Sequence, residues 1–136
     1  MAAPPQTDRP IAARSRALRI VIAEDEAINA TLLTEVLEDL GHSICAIEST
    51  EAGTVNAALR YKPDLMIVDA TLTVGTGVGA VSEILRTGPV PHLFITGDIG
   101  RLAGTQLHTV FLCKPFRIAD LEQAIERALM IDIAQT

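Results

Sequence analysis

The stretch Pro63-Asp64-Leu65-Met66-Ile67-Val68-Asp69 decides the fold. An apolar run that follows a Lys-Pro turn signal leads directly into a carboxylate. Such a short run is typical of a buried strand in a parallel sheet. Ligands of open α/β sheets bind outside the carboxyl ends of the strands. Asp69 is therefore predicted to lie at the rim of the sheet and to face a crevice, with the capping of a loop as the alternative.

Strand and helix patterns alternate on both sides of this stretch. Strands are predicted at 18–23, 43–47, 64–68, 92–96 and 109–113, and helices at 28–40, 51–61, 78–85 and 118–129. The predicted apolar stripe of the first helix consists of Ile28, Leu32, Val36, Leu37 and Leu40, and the predicted small-residue face of the second consists of Ala52, Val55 and Ala58. Gly41 is predicted to end the first helix as its C′ residue. Strands that alternate with helices in this way indicate βαβ units, so the fold class is α/β, with a doubly wound parallel sheet and helices on both faces.

Composition excludes several classes of protein. A chain of 136 residues that is 49% hydrophobic is long enough for one domain with a real core. The net charge of −6 argues against a nucleic-acid partner, because binding phosphates needs Lys and Arg. No apolar run approaches the roughly 20 residues of a membrane span, and no secretory signal follows Met1. We therefore expect a cytoplasmic protein with no nucleic-acid and no membrane partner.

The start of the chain differs from the rest in composition. Residues 1–16 contain three of the seven prolines, three arginines and hardly any large apolar residue. This composition predicts a flexible N-terminal tail, and an organelle transit peptide is the less favoured alternative. The predicted division is a tail at 1–16, a folded domain at 17–131 and a C-terminal tail at 132–136.

Polar residues stand at four of the predicted strand ends. Glu24-Asp25-Glu26 follow the first strand, Asp69 the third, Thr96-Gly97 the fourth and Lys114-Pro115-Phe116 the fifth. In this order, and over roughly residues 18–129, the set resembles the receiver domain of two-component response regulators. The resemblance implies a flavodoxin-like sheet with strand order 2-1-3-4-5 and a site between strands one and three.

The acidic residues at these ends predict a metal site. Adjacent strands lie about 4.8 Å apart, which brings Asp25 and Asp69 into one pocket near Glu24. Carboxylates this close repel unless a cation intervenes, and oxygen ligands suit Mg²⁺. The resemblance implies that Asp25 and Asp69 bind Mg²⁺, that the backbone carbonyl of Thr71 adds a ligand and that Glu24 acts through water. Capping of the first helix by these acids is the alternative, with Glu26 the favoured capping residue.

The resemblance also assigns roles in phosphoryl transfer. Asp69 would be the nucleophile that accepts a phosphoryl group from a histidine kinase or a histidine phosphotransfer protein. Lys114 would neutralise charge, and Thr96 would offer a hydroxyl to a phosphoryl oxygen. Phe111 matches the switch aromatic of the family, which moves inward as the threonine moves; an ordinary core phenylalanine is the alternative. The protein would catalyse only its own phosphorylation and dephosphorylation, so we do not expect an enzyme.

Two segments depart from the family pattern. Thr73 stands where many receivers carry proline, and the acid that many carry just before the glycine matching Gly77 is missing. Only seventeen residues separate Thr96 from Lys114, and they include three glycines. Glycine weakens a helix, so the helix between the fourth and fifth strands, which is the fourth helix of the family, is predicted to be short or irregular. We expect residues 98–108 to be the most mobile part of the domain and the part that answers phosphorylation.

These features favour a stand-alone receiver in a phosphorelay. With no output domain expected after Leu129, the signal would pass to a downstream protein target by contact, or the protein would serve as a phosphate sink. A phosphorylation-dependent dimer is a further expectation. One alternative is an adaptor of the same fold that works without phosphorylation. Another is a nucleotide-binding enzyme, because Gly75-Thr-Gly77-Val-Gly79-Ala80 fits the loose G-x-G-x-x-A pattern. That pattern should follow the first strand, whereas here it follows the third.

Overall fold

The computed structural model describes residues 16–97 and 110–135. The strands are β1 (Arg19–Ala23), β2 (Ser43–Glu48), β3 (Leu65–Asp69), β4 (His92–Thr96) and β5 (Val110–Cys113). The helices in this part of the chain are α1 (Ala27–Asp39), α2 (Glu51–Tyr61), α3 (Gly77–Leu85) and α4 (Ile118–Gln135). The strands form one parallel sheet with the order β2-β1-β3-β4-β5. The predicted doubly wound fold and its strand order are confirmed.

The sheet separates two apolar layers. Successive side chains of a strand point to opposite faces, and β1 shows the consequence. Ile20 and Ile22 pack in the cluster that contains residues of α1 and α4, whereas Val21 and Ala23 pack in the cluster that contains residues of α2 and α3. Both faces of the sheet are covered, which explains why its central strands are apolar throughout rather than alternating.

Helix α1 ends as the sequence predicts. Gly41 has a φ of +99°, in the left-handed region that glycine adopts without strain. Its N–H donates to the Glu38 carbonyl, and the N–H of His42 donates to the Leu37 carbonyl, both at 3.0 Å. These bonds form a Schellman motif, which satisfies carbonyls at the helix end and turns the chain into β2.

The buried faces of two helices differ from the predicted apolar stripes. In α1 the buried residues are Ala30, Leu33 and Leu37, whereas Ile28 is 75% exposed and Leu32 is 56% exposed. In α2 the buried residues are Thr54, Ala57 and Ala58, rather than the predicted set of Ala52, Val55 and Ala58. Helical spacing is compatible with more than one stripe, and the crossover geometry decides which stripe meets the sheet.

Some predictions fall outside the described residues. They are the short or irregular helix between β4 and β5, the segment at 98–108 that is expected to answer phosphorylation, and nearly all of the tail at 1–16. Helix α4 continues to Gln135, past Leu129, the last apolar position of its pattern. The division into 1–16, 17–131 and 132–136 stays a prediction. Within the described ranges, none of the helices is long and apolar enough to cross a membrane.

Helix α3 begins where two backbone segments approach closely. The Gly77 N–H donates to the Ala70 carbonyl at 3.0 Å. A Cβ atom on Gly77 would collide with the backbone carbonyl of Asp69 and would lie 2.5 Å from a methyl of Val68. Glycine at 77 is therefore required to seat α3 against the end of β3, next to Asp69.

We expect Gly77→Ala to lower the free energy of unfolding by about 2 kcal/mol or more, because the new Cβ would meet the Asp69 backbone, which cannot move aside as a flexible side chain can. Gly79→Ala is the matched control. Its Cβ would meet the Glu51 carboxylate at 2.8 Å, but that side chain can shift, and alanine favours a helix over glycine by about 1 kcal/mol. Urea unfolding of both variants measures the difference. Equal losses in the two would contradict this account of Gly77.

Candidate functional site

The carboxyl ends of β1 and β3 bring three carboxylates together. Glu24 and Asp25 directly follow β1, and Asp69 is the last residue of β3. One oxygen from each of the three lies within 4.8 Å of the others. The structure therefore places the predicted acidic residues in a single cluster, because β1 and β3 are neighbours in the sheet.

Lys114 reaches into this cluster from β5. Its Nζ lies 3.0 Å from Oδ2 of Asp69 and 3.5 Å from Oε1 of Glu24. Burial is the largest single effect on the pKa of Lys114 and lowers it, but hydrogen bonds and charges from Asp69 and Glu24 together raise the pKa above its ordinary value. Lys114 thus carries a positive charge at neutral pH, held against the carboxylate of Asp69.

Glu24 is the most enclosed of the three carboxylates and is only 6% exposed. Burial raises its pKa, and the charges of Asp69 and Asp25 add to the rise. The Glu26 N–H donates to the Glu24 carboxylate at 3.1 Å. This bond and the charge of Lys114 offset part of the rise in the pKa of Glu24. The cluster is short of positive charge even with Lys114 present. Three carboxylates with this deficit fit a hard divalent cation with oxygen ligands.

The residues just after β3 line the mouth of the site. The Thr71 N–H donates to Oδ1 of Asp69 at 2.9 Å. This bond holds the Asp69 oxygen that Lys114 does not contact, and it places exposed Thr71 beside the cluster. The ligand role of the Thr71 carbonyl stays a prediction.

Thr96 and Phe111 lie on the two strands beyond β3. Thr96 ends β4, is 7% exposed, and its carbonyl accepts the Lys114 N–H at 2.8 Å. Phe111 is half-buried, and its ring stacks on Phe94 with centroids 5.6 Å apart. This packing is also what an ordinary core phenylalanine shows, so the switch role of Phe111 stays a prediction.

Sequence reasoning missed one residue of the site. The hydroxyl of Thr73 donates to Oδ2 of Asp25 at 2.8 Å. The only signal in the sequence was the departure at position 73, where many receivers carry proline. A hydrogen bond between residues so far apart in the chain follows from the pairing of β1 with β3, which periodicity does not reveal.

The glycine-rich segment after β3, residues 75–79, packs around the side chain of Glu51. The Thr76 N–H donates to Oε1 of Glu51 at 2.9 Å, and the Glu51 N–H donates to the Val74 carbonyl at 3.0 Å. A Cβ atom on Gly75 would lie 2.5 Å from Cβ of Glu51. The glycines therefore make room for a carboxylate of the same chain, and this geometry lends no support to a dinucleotide at the segment.

Comparison with known proteins agrees with this geometry. Residues 20–126 match the response regulator receiver domain family. The chain belongs to this family. Two of its relatives are named as regulators. The resemblance stated from the strand ends is thereby confirmed.

Three relatives show how far the similarity extends. The phyllosphere-induced regulator PhyR of Methylorubrum extorquens is 36% identical over 86% of this chain and 45% of its own length. The transcriptional regulatory protein PdtaR of Mycobacterium tuberculosis is 35% identical over 82% of this chain and 56% of its own length. The solved structure of PhyR from Bartonella quintana, described as an anti-anti-sigma factor, has a TM-score of 0.79 and 28% identity, and covers 92% of this chain and 53% of that chain. The chain therefore spans about half the length of these relatives.

The raised pKa of Glu24 gives a pH prediction. The folded protein binds this proton more tightly than the unfolded chain does, so the contribution of Glu24 to stability falls as pH rises from its unfolded-state pKa of 4.5 through the raised value. Glu24→Gln removes that penalty. In EDTA at pH 7 we expect this variant to melt at a higher temperature than the wild type, and the gap to shrink towards pH 4.5. Thermal unfolding followed by circular dichroism at several pH values measures it. A lower melting temperature for Glu24→Gln at pH 7 would contradict the assignment.

Proposed function

We propose that this receiver accepts a phosphoryl group on Asp69 from a histidine kinase or a histidine phosphotransfer protein, with Mg²⁺ as cofactor. We propose further that it acts in the cytoplasm and signals by contact with another protein. One observation carries the proposal. The Lys114 ammonium lies 3.0 Å from the Asp69 carboxylate inside the acidic cluster. A carboxylate held beside a positive charge provides the positioning and the charge neutralisation that phosphoryl transfer needs.

The chemistry follows from the placement of each group. A carboxylate oxygen of Asp69 attacks phosphorus, so an O–P bond forms while the N–P bond to the donor histidine breaks and leaves its electron pair on nitrogen. Lys114 neutralises charge on the phosphoryl oxygens, and the Thr96 hydroxyl donates to one of them. The Thr71 N–H holds the attacking carboxylate in place. Asp25, Asp69 and the Thr71 carbonyl would hold Mg²⁺, with Glu24 acting through water, and the ion would supply further charge neutralisation.

The surface beside Asp69 supports transfer from a protein donor. The Asp69 side chain is 12% exposed, so a donor histidine must come close to the mouth of the site. An apolar cavity of about 490 Å³ opens next to Glu24 and Lys114, and its wall includes Leu32, Val36, Phe116, Ile118 and Leu121. Exposed apolar residues of α1 and α4 thus border the path of approach. We propose that the donor protein contacts this face.

The outgoing signal is proposed to use Thr96 and Phe111. Both stand on strands beyond β3, and the Thr96 carbonyl is bonded to the backbone N–H of Lys114. A phosphoryl group that draws Thr96 and Lys114 inward would shift the population of Phe111 packings. A downstream protein would bind more or less tightly after this change, or the change would favour a dimer of the phosphorylated protein.

Asp69 is expected to be the site of stable phosphorylation. Incubation with acetyl phosphate and Mg²⁺ should add one phosphate by intact mass, because Asp69 lies 3.0 Å from Lys114, closer than Glu24 at 3.5 Å. Asp69→Asn should show no addition. Glu51→Gln is a control, since Glu51 lies outside the cluster and its amide oxygen can still accept the Thr76 N–H. Equal labelling of Asp69→Asn and wild type would refute the assignment.

Mg²⁺ is expected to stabilise the protein without phosphate. At a concentration one hundred times Kd, binding adds about 2.7 kcal/mol to the free energy of unfolding. Asp25→Asn should lose most of the rise in melting temperature that millimolar Mg²⁺ produces in the wild type, because it removes a charged ligand. Differential scanning fluorimetry with and without EDTA measures the rise. A wild type that does not respond to Mg²⁺ would count against the metal site.

A second candidate function is an adaptor that works without phosphorylation. The relative from Bartonella quintana, described as an anti-anti-sigma factor, favours a role through contact with a regulatory protein. The two candidates differ in one measurement. An adaptor of this kind would not incorporate phosphate at Asp69, or its partner binding would be the same for wild type and Asp69→Asn.

A further inference from the structure

A hydrogen bond ties the two loops of the site to each other. The Thr73 hydroxyl donates to Oδ2 of Asp25 at 2.8 Å across a sequence separation of 48. Thr73 belongs to the loop after β3, and Asp25 belongs to the loop after β1. The bond joins an exposed hydroxyl to a carboxylate of the acidic cluster.

The loop that carries Thr73 is firmly held on both sides. A β-bridge joins Thr71 to Thr76 across the loop, and another joins Val74 to Thr50. The Thr76 N–H is bonded to Glu51, and the Ala70 N–H donates to the Ile95 carbonyl at 2.9 Å. The backbone therefore sets where the Thr73 hydroxyl stands, and Asp25 is the group that it orients.

Orientation matters for a carboxylate that binds a cation. Groups that hydrogen-bond to metal ligands hold them in the binding orientation, and their loss typically costs 10- to 100-fold in metal affinity. A carboxylate has about four acceptor positions, so one hydroxyl leaves Oδ1 and part of Oδ2 open to a cation. A proline at this position, as in many receivers, would supply no hydroxyl.

We infer that Thr73 is a positioning residue for the metal site, and that its hydroxyl raises the affinity for Mg²⁺ by fixing the orientation of Asp25. The inference rests on the proposed function only for the location of the metal. It concerns binding and needs no phosphoryl donor.

The experiment measures Mg²⁺ affinity in Thr73→Val, Thr73→Ser and Thr73→Ala by the metal dependence of the melting temperature and by isothermal titration calorimetry. Thr73→Val keeps the shape and removes the hydroxyl, so we expect its Kd for Mg²⁺ to rise about 10-fold. Thr73→Ala should show the same loss, and Thr73→Ser, which keeps the hydroxyl, should stay within about twofold of the wild type. Thr31→Val on the exposed side of α1 is the matched control and should bind as the wild type does.

The outcomes separate the inference from the proposed function. A wild type that binds no Mg²⁺ would refute the proposed metal site. A wild type that binds Mg²⁺ while Thr73→Val and Thr73→Ala bind equally well would refute the role of Thr73 alone. Tighter binding by both variants would also overturn it, because the hydroxyl would then compete with the cation. A purely structural role predicts lower melting temperatures in EDTA with unchanged Kd, which the same data distinguish.

Discussion

The repulsion among Glu24, Asp25 and Asp69 is the constraint on which the rest of the site depends. Three carboxylates within 4.8 Å of one another are costly to hold without compensating charge. Lys114 supplies one positive charge, and the backbone N–H groups of Glu26 and Thr71 supply dipoles. The compensation is incomplete at Glu24, whose pKa is raised by burial. The three carboxylates are thus only partly neutralised, and a divalent cation would complete the neutralisation.

The hydrophobic core provides the rigidity that keeps these charges together. Each central strand is buried on both faces, and the two apolar clusters lie on opposite sides of the sheet. Close packing of this kind does not yield to small forces. The strand ends cannot separate to relieve the repulsion, because β1, β3 and β4 are hydrogen-bonded side by side. Stability contributed by the core is therefore what allows an electrostatically unfavourable cluster to exist.

The loop after β3 departs from the pattern of the family, and contacts with other segments compensate for the departures. Glu51 fills the space left by the glycines, Thr76 caps α3, and Thr73 bonds to Asp25. Gly77 lets α3 approach the Asp69 carbonyl. The loop is thus built from interactions with α2 and with the loop after β1. These bonds to segments distant in sequence add to the loop's own contacts, the Thr71–Thr76 β-bridge and the Thr76 cap of α3.

The sequence by itself determined the elements, the parallel sheet and the residues at its carboxyl edge, because apolar runs, helical spacing and the position of Gly41 are local signals. It pointed to Glu24, Asp25, Asp69 and Lys114 because each directly follows or ends a strand. Only the tertiary structure decided which stripe of α1 faces the core, leaving Ile28 exposed, and which side chains complete the site. The Thr73–Asp25 bond and the enclosure of Glu51 by glycines join segments that are far apart in the chain. Such contacts depend on the relative placement of loops, for which a periodic pattern contains no information.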